Sequence, residues 1–273
     1  MVKTVSILGC GYLGFPLAQR LLAAGYAVKG ATTTPAKLSV LERAGIEPYL
    51  VMLSPEWKGD AAEGFLQSDI LFLNIPPQRT RPDVEAYYDG MLQSVLHALG
   101  SAPTRLVVFA SSTSVYAATG GTVTEQDAGN PMPETASGCA VLKAEQSLQV
   151  RHSFDTTVLR FGGLYGYDRA PGRFVRGVVK NPEAPVNLVH RDDAVAAAFA
   201  VIDSDCRGEV FNVCTDGHPT RGVFYKQAAE WLGLDPPPVA GAGSSPGKRV
   251  DSSWLKTCLG YAFRHVDPLV QAP

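Results

Sequence analysis

A glycine-rich turn near the start of the chain constrains the fold more than any other feature. It spans residues 9–14, where Gly9, Gly11 and Gly14 follow the short apolar run 5–8 and precede an amphipathic helical pattern. In such a turn the first glycine permits the bend, the second leaves room for a phosphate, and the third lets the helix pack on the strand. The helix N-terminus then offers N–H groups to an anion. We therefore predict a dinucleotide site here, the alternative being an ordinary tight turn.

Strand-like and helix-like segments alternate through the first 161 residues. Apolar runs predict further strands at 26–32, 49–53, 69–74, 106–110 and 156–161, and amphipathic patterns predict helices near 35–44, 83–99 and 138–150. A segment rich in Gly, Thr, Pro and Asp, 119–135, indicates a loop. The alternation predicts an α/β fold of the Rossmann type, with a doubly wound parallel sheet and right-handed crossovers.

The pattern loosens after residue 161. A helix near 193–202 and a strand at 210–213 are placed to return to the sheet, whereas the remaining segments are a loop-like 162–166, a helix at 223–232, a Pro/Gly/Ser linker at 236–247 and a short helix at 252–259. We predict a dinucleotide-binding domain formed by residues 1–161 and 190–214. Residues 162–189 and 215–273 are predicted to form a small appended C-terminal lobe on the substrate side.

Composition excludes several classes of function. The net charge of −2 offers no basic surface for nucleic acid or for an anionic membrane, and no apolar run is long enough to span a bilayer. The start, Met1-Val2-Lys3-Thr4, leads straight into the first predicted strand, and we therefore expect no signal peptide. Its five cysteines form no C-x-x-C pair, and its five histidines show no metal-ligand spacing. We therefore expect a cytoplasmic protein with reduced thiols, a small-molecule substrate and no metal site.

Several later motifs occur in the order expected of one known family. They are residues 111–116 (Ser-Ser-Thr-Ser-Val-Tyr), 159–166 (Leu-Arg-Phe-Gly-Gly-Leu-Tyr-Gly), 187–193 (Asn-Leu-Val-His-Arg-Asp-Asp) and 208–213. With the glycine turn, they resemble the extended short-chain dehydrogenase/reductases, also called the NAD-dependent epimerase/dehydratase family. The resemblance implies hydride exchange between NAD(P) and a small hydroxylated or sugar-like substrate, with a lysine-held tyrosinate moving the proton and a serine orienting the substrate hydroxyl.

The same resemblance implies roles for individual residues. Ser112 matches the family serine at the end of the fifth predicted strand, the alternative being a polar strand end that bonds nearby backbone. The cofactor contacts that we expect from the turn, the second strand and the resemblance are Gly9, Gly11, Tyr12, Leu13, Gly14, Thr33, Lys37, Asn74, Ile75, Pro76, Ser111, Gly162, Gly163 and Leu164.

The sequence departs from the family at the Tyr-x-x-x-Lys motif. The gapless register puts Ser137 at the tyrosine position and Val141 at the lysine position, and the register that uses Lys143 puts Cys139 at the tyrosine position. A serine hydroxyl is far less acidic than a phenol, and valine cannot lower a neighbour's pKa by its charge. The chain thus resembles atypical members of the superfamily that lack the standard pair.

Two other tyrosines offer a phenol, Tyr116 and Tyr165, although aromatic packing is the use that we favour for both. The predictions are therefore an enzyme of the epimerase/dehydratase type or, alternatively, a non-catalytic NAD(P)-binding sensor or scaffold.

The end of the second predicted strand bears on the choice of cofactor. An acidic residue there would bind the ribose diol of NAD, but this chain has Ala31-Thr32-Thr33-Thr34 and then Lys37. Hydroxyls and an ammonium suit a 2′-phosphate, so NADP is favoured over NAD, unless Lys37 is simply a solvated helix residue.

Three further expectations concern charge and assembly. Asp192 or Asp193 is predicted to cap the helix that follows. Four arginines, at 160, 173, 176 and 191, are candidates for an anionic substrate site, with surface solvation as the default. A homodimer through the helices at 83–99 and 138–150 is possible, as is common in the family; the alternative is that the apolar stripe of the first helix faces only its own sheet.

Overall fold

The computed structural model describes residues 2–173, 177–241, 243 and 245–270. Within them the strands are β1 (Thr4–Leu8), β2 (Ala27–Thr32), β3 (Glu47–Leu53), β4 (Trp57–Gly59), β5 (Ile70–Leu73), β6 (Leu106–Ser112), β7 (Thr122–Val123), β8 (Asp155–Phe161), β9 (Gly163–Tyr165), β10 (Leu188–His190), β11 (Val210–Val213) and β12 (Arg249–Val250). The α-helices are α1 (Gly14–Ala23), α2 (Leu38–Arg43), α3 (Ala62–Leu66), α4 (Val84–Leu99), α5 (Ala136–Gln149), α6 (Arg191–Asp203), α7 (Arg221–Glu230) and α8 (Ser253–Leu259).

The main sheet has eight strands in the order β11-β8-β6-β5-β1-β2-β3-β4. Strands β1, β2, β3, β5 and β6 pair in parallel, and β4 is an antiparallel edge strand on β3. The chain runs outward from β1 through β2 and β3, then returns to the other side of β1 with β5. The predicted doubly wound, Rossmann-type sheet is therefore confirmed.

The reversal of strand order places β1 beside β5. Their register pairs Leu8 with Leu73, so the residues that follow the two strands, Gly9 and Asn74, emerge side by side. Ligands of doubly wound sheets bind at such a reversal, outside the carboxyl ends of the strands. The topology thus directs attention to the glycine turn.

The central strands are buried because helices cover both faces of a parallel sheet. Every residue of β5 is at most 3% exposed, and α1 buries Leu17 and Leu21 on one side. Most of the stripe predicted on α4 is buried as well: Tyr87 is half-buried, whereas Val84, Tyr88, Met91, Leu92, Val95, Leu96 and Leu99 are each at most 8% exposed. Within this chain the stripe therefore packs inward, and the homodimer stays a prediction.

The long predicted elements are confirmed, while several short ones were not predicted. Residues 119–135 were expected to be a loop but contain β7, and residues 162–166 contain β9. Strands of two or three residues carry too little alternation to be recognised, and they form because a partner strand is supplied from elsewhere. β7 pairs with β12 and β9 pairs with β10, both in parallel.

The chain forms two compact units, one of residues 1–111, 135–159 and 195–210 and one of residues 112–134, 160–194 and 211–273. In the second unit, Tyr165, Val186, Leu188 and Phe224 form a hydrophobic cluster. The domain boundaries drawn from the sequence stay a prediction. In the part of the chain that the structure describes, none of the helices has the length and apolar character needed to cross a membrane.

Candidate functional site

The glycine turn between β1 and α1 has two positions where a side chain cannot fit. Gly9 has φ of +102°, and a Cβ there would lie 2.1 Å from the carbonyl oxygen of Asn74. A Cβ at Gly14 would lie 2.4 Å from the carbonyl oxygen of Gly9, because α1 begins directly against the turn. Gly11 differs from both, since it is exposed and a Cβ there would meet no atom within 4 Å. The open space beside Gly11 is where the sequence predicts the phosphates.

The first turn of α1 suits an anion. No side chain caps this helix and no acidic residue lies in its first turn. The preceding backbone is held by hydrogen bonds from Gly11 N to Gly9 O (2.9 Å) and from Phe15 N to Gly11 O (2.9 Å). The helix begins at Gly14, so the half-buried Tyr12 and the buried Leu13 belong to the turn that precedes it. Phe15 N is already bonded and Pro16 has no N–H, so within the first turn an anion would meet the N–H of Gly14 together with the helix dipole.

Asn74 braces the turn from the neighbouring strand. Its backbone N–H donates to Leu8 O and its side-chain amide donates to Gly9 O, each at 2.9 Å. The next residue, Ile75, is held by the Tyr88 hydroxyl, which donates to its carbonyl at 2.9 Å, and Pro76 is exposed. Asn74–Pro76 therefore lie at the edge of the turn, and their cofactor contacts stay a prediction.

The side chain of Cys10 in the same turn is buried. Its backbone N–H donates to Ala31 O at 2.8 Å, and the thiol points into the protein, where 5% of the residue is exposed. Burial raises the pKa of this thiol to about 12. Cys10 is therefore a packing residue and remains protonated.

Strand β2 ends in a run of hydroxyl side chains. Thr32 is nearly buried and its hydroxyl accepts a hydrogen bond from Thr34 N at 3.2 Å. Thr33 and Lys37 are both exposed, and Lys37 ends the short 3₁₀ helix that precedes α2. No carboxylate occupies residues 31–37. Two exposed donors are thus available beside the turn.

Helix α5 carries the positions at which the sequence registers place the family's Tyr/Lys pair. Thr135 caps it, accepting from Gly138 N at 3.1 Å, and Ser137 is half-buried in its first turn. Val141 is 2% exposed, whereas Lys143 points outward and its Nζ lies 3.3 Å from a carboxylate oxygen of Asp89 on α4. Both registers of the motif stay predictions.

Helix α5 contains a buried acidic residue, Glu145, for which the sequence predicted no role. Glu145 is 1% exposed, and Ser111, at the end of β6, donates a hydrogen bond to its carboxylate. The pKa of the nearby Tyr88 phenol is raised by burial and by the charge of Glu145. The available signal was a glutamate among the apolar residues of a buried helix face. Ser111 is thus tied to α5 through its side chain.

Ser112 belongs to the second unit. It is half-buried, and its hydroxyl accepts from Ser114 N at 3.2 Å, which is the local backbone bond that the sequence offered as the alternative to catalysis. The oxygen can still donate its own proton to a substrate. Its catalytic role stays a prediction.

Gly162 and Gly163 permit a close backbone approach within the second unit. A Cβ on Gly162 would lie 3.0 Å from Asn187 O, and one on Gly163 would lie 2.8 Å from the side chain of Leu188. Gly163 N donates to Asn187 O at 2.8 Å. These glycines are explained by the pairing of β9 with β10, while the half-buried Leu164 lies in β9. Their contacts with a cofactor stay predictions.

The two alternative phenols are buried, and among the described residues only the Tyr116 hydroxyl has a hydrogen-bond partner. Tyr116 is 2% exposed; its hydroxyl donates to Asn212 Oδ1 at 2.6 Å and accepts from Arg160 Nη1 at 2.8 Å. Burial raises its pKa to about 12, even though Arg160 acts in the opposite direction. Tyr165 is 1% exposed and burial raises its pKa also. Neither phenol forms a tyrosinate near neutral pH, in line with the packing use that we favoured.

The described arginine candidates have different surroundings. Arg160 is buried and also donates to Glu125 O at 2.7 Å, so the surface default is wrong for it. Arg191 stacks its guanidinium on the ring of Tyr167 at 3.9 Å, and Arg173 is exposed. Arg176 lies outside the described residues.

The capping prediction for the Asp192-Asp193 pair is wrong. Both lie inside the first turn of α6 rather than before it. The carboxylate of Asp193 is fully buried and accepts from Arg264 N at 2.8 Å and from His265 N at 2.9 Å. The carboxylate of Asp193 therefore binds backbone N–H groups about 70 residues further along the chain, and the sequence of α6 alone does not reveal these partners.

Comparison with known proteins decides the family. The model of the NAD-dependent epimerase/dehydratase family matches residues 5–214, which includes the glycine turn, β6 and α5. The chain belongs to the NAD-dependent epimerase/dehydratase family. The resemblance drawn from the motifs is thereby confirmed.

Similarity to individual proteins extends over nearly the whole of this chain. Protein YeeZ of Escherichia coli K12 is 36% identical over 273 residues, covering 98% of both chains. The structure of a conserved protein of unknown function from Silicibacter pomeroyi is 25% identical, with a TM-score of 0.74 over 98% of this chain and 96% of that one. A UDP-glucuronic acid 4-epimerase from Bacillus cereus in complex with NAD has a TM-score of 0.79 at 19% identity, over 97% and 93% of the chains. This last likeness shows the fold alone.

Proposed function

We propose that this chain is an NAD(P)-dependent enzyme that moves a hydride to or from a small hydroxylated, sugar-like substrate. The observation that carries the proposal is the contrast within the turn: Gly9 and Gly14 have no room for a Cβ, whereas Gly11 faces open space before an uncapped helix. Membership of an NAD-dependent family supports it. So does the likeness to a 4-epimerase that was crystallised with NAD.

The residues of the turn fit a dinucleotide. The pyrophosphate would lie against the backbone at Gly11 and accept hydrogen bonds from the first turn of α1. Asn74 keeps the turn rigid, because the hydrogen bond that its side-chain amide donates to Gly9 O fixes the peptide group between Gly9 and Cys10, which precedes the phosphate position. A bound nicotinamide would supply the hydride donor or acceptor, and the chain would supply position and protons.

Proton transfer is expected to be the weak step. No tyrosine in the 273-residue sequence is followed four positions later by a lysine, and Val141 is buried. Ser112 can orient a substrate hydroxyl, but its own proton is too weakly acidic for efficient acid–base work. Since such help is worth about 10²–10⁴-fold, we expect hydride transfer slower by about that factor than with the full pair.

We propose NADP as the preferred cofactor. Thr33 and Lys37 are exposed beside the turn, and residues 31–37 contain no carboxylate that would favour a ribose diol. An ammonium interacts more strongly with a phosphate dianion than with a hydroxyl. The named neighbour carries NAD, so binding of both cofactors is compatible with the proposal.

A non-catalytic dinucleotide-binding protein is the second candidate. The pairing of Lys143 with Asp89 and the burial of Val141 favour it, because α5 then presents no cation to a phenol. Single-turnover mixing separates the two candidates: the protein with NADP or NAD meets a set of UDP-sugars and free sugars, and absorbance of the reduced cofactor is followed. Reduction of cofactor in proportion to enzyme supports the enzyme. Tight cofactor binding without reduction for any substrate favours the sensor.

A further inference from the structure

The second unit contains two histidines whose rings stack on each other. The ring centroids of His190 and His265 lie 3.8 Å apart, with 29° between the ring planes. Their side chains are 10% and 17% exposed, so both rings are largely shielded from water. His190 ends β10 directly before α6, and His265 belongs to the segment that follows α8. The pair therefore joins two segments that are far apart in the sequence.

A buried carboxylate fixes the ring of His265. Oδ2 of the fully buried Asp193 lies 2.8 Å from Nδ1 of His265. The same carboxylate accepts from the backbone N–H groups of Arg264 and His265, so it acts as an acceptor and the imidazole nitrogen that faces it carries a hydrogen. His265 is thus held in one orientation, with a face of its ring against His190.

The ring of His190 accepts a hydrogen bond where that of His265 donates one. The backbone N–H of Asp192, in the first turn of α6, donates to Nδ1 of His190 at 3.3 Å. In the neutral ring the hydrogen therefore lies on Nε2, because Nδ1 supplies a lone pair. His190 caps one of the N–H groups that the first turn of a helix leaves without an intrahelical partner.

A positive charge on His190 conflicts with these neighbours. The added proton would occupy Nδ1, where it would oppose the N–H of Asp192 and the positive end of the α6 dipole. Burial lowers the pKa of His190, and so does His265, while the carboxylates of α6 act in the opposite direction. The titratable and charged side chains that act on this ring are Tyr165, Tyr167, Arg191, Asp192, Asp193 and His265.

The carboxylate of Asp192, beside His190, is already used by Tyr167. Its Oδ2 lies 3.9 Å from Nδ1 of His190 and accepts from the Tyr167 hydroxyl at 2.7 Å. Tyr167 lies in the turn after β9 and has φ of +54°, which is unfavourable for a residue other than glycine, so the turn depends on its contacts. A protonated His190 would compete with Tyr167 for this carboxylate.

The turn also packs directly on the ring of His190. Gly166 has φ of +115°, and a Cβ there would lie 2.4 Å from Nε2 of His190. In the β9–β10 ladder, His190 is the partner of Tyr165. A displacement of the ring is therefore transmitted to the backbone of β9, the strand that contains the predicted cofactor contacts Gly163 and Leu164.

We propose that neutral His190 is a positioning residue that keeps β9 and the following turn ordered, and that its protonation in mild acid releases the turn and weakens cofactor binding. The proposal rests on the proposed function, to which the cofactor contacts of β9 belong. Because the pKa of His190 is lower in the folded chain than its ordinary value of 6.5, the order that it maintains is present above about pH 6.5 and declines as pH falls below it.

Hydrogen exchange followed by mass spectrometry tests the positioning role without a ligand. Full-length wild type is compared with His190→Asn, because asparagine keeps an acceptor near the position of Nδ1 and does not titrate. The two should exchange alike in residues 163–169 at pH 7.5. At pH 5.5 we expect exchange there to be about threefold or more faster in the wild type, with β5 equally protected in both. His152→Asn, which changes an exposed histidine, is the matched control and should behave as the wild type.

A second variant covers the case in which His190→Asn does not fold, as judged by thermal melting. Tyr167 is 55% exposed, so Tyr167→Phe should leave the fold intact. It removes the hydrogen bond to Asp192, and we expect exchange in residues 163–169 to be about threefold or more faster than in the wild type already at pH 7.5. Equal exchange in wild type and folded His190→Asn at pH 5.5 overturns the proposal, as does unchanged exchange in Tyr167→Phe.

Cofactor affinity is measured separately by calorimetry, so that the two proposals fail separately. The probe is NAD, because the 2′-phosphate of NADP itself titrates near pH 6, as phosphate monoesters do. Wild-type affinity should fall about threefold or more from pH 7.5 to pH 5.5, since apparent affinity follows the binding-competent fraction, whereas His190→Asn should keep its affinity. An equal fall in both proteins overturns the link between His190 and the cofactor. If neither NAD nor NADP binds at either pH, the proposed function is wrong, and hydrogen exchange still decides the role of His190.

Discussion

Substituting Gly11 by valine separates the cofactor site from the fold. Because a Cβ at Gly11 meets no atom within 4 Å and the residue is exposed, the free energy of unfolding should change by no more than about 0.5 kcal/mol. The valine methyl groups would instead occupy the space assigned to the pyrophosphate. We expect affinity for NADP and NAD to fall on the order of 100-fold, which corresponds to about 2.7 kcal/mol of binding free energy.

Two comparison variants make this test specific. Gly241→Val also adds its side chain to open space, in the second unit, and should leave cofactor affinity unchanged. Gly9→Ala should instead destabilise the fold by more than about 2 kcal/mol, because φ is +102° and the new Cβ would lie 2.1 Å from a backbone oxygen. At about 2–4 °C per kcal/mol, that loss lowers the melting temperature by at least about 4 °C.

Isothermal titration calorimetry and thermal melting provide the two readouts. The reasoning about Gly11 is refuted if Gly11→Val binds both cofactors like the wild type. It is also refuted if Gly11→Val melts as low as Gly9→Ala, since the space around Gly11 would then not be open.

Four further predictions address the cofactor, the chemistry, a thiol and assembly. Lys37→Ala should weaken NADP about fivefold or more and leave NAD nearly unchanged, whereas equal losses in titrations would remove the NADP preference. Once a substrate is found, Ser112→Ala should lower the single-turnover rate about tenfold or more, and an unchanged rate would assign the hydroxyl to local structure only. Burial holds the pKa of the Cys10 thiol at about 12, above its unfolded value of 9.0. The stability that this thiol contributes is therefore present below pH 9 and declines as pH rises towards 12. Mass spectrometry after alkylation of the native protein at pH 8 should find Cys10 unmodified while the half-exposed Cys206 reacts. Light scattering at micromolar concentration should give twice 29.1 kDa if the predicted homodimer forms, and a clean 29.1 kDa species would rule it out.

Local sequence patterns were sufficient to predict the glycine turn and the main helices and strands of this protein. The glycine turn could be recognised because the conformational needs of Gly9 and Gly14 are expressed by residue type alone. The long helix α4 was predictable because burial of one face imposes a period on its 16 residues. The short strand β5 was predictable because complete burial gives a continuous apolar run. Order of motifs along the chain then indicated the family.

Tertiary structure decided everything that depends on partners distant in sequence. Asn74 holds Gly9 because β1 and β5 are neighbours, and Lys143 lies 3.3 Å from Asp89 because α5 packs against α4. Asp193 serves the backbone near His265 rather than its own helix. The residue type of an aspartate or a lysine is the same whatever surrounds it, so its role depends on which groups the fold brings within about 3 Å of its charged atoms. Residue spacing along the chain does not reveal those distances. The fold could therefore be predicted from the sequence, whereas the contacts of individual charged side chains required the structure.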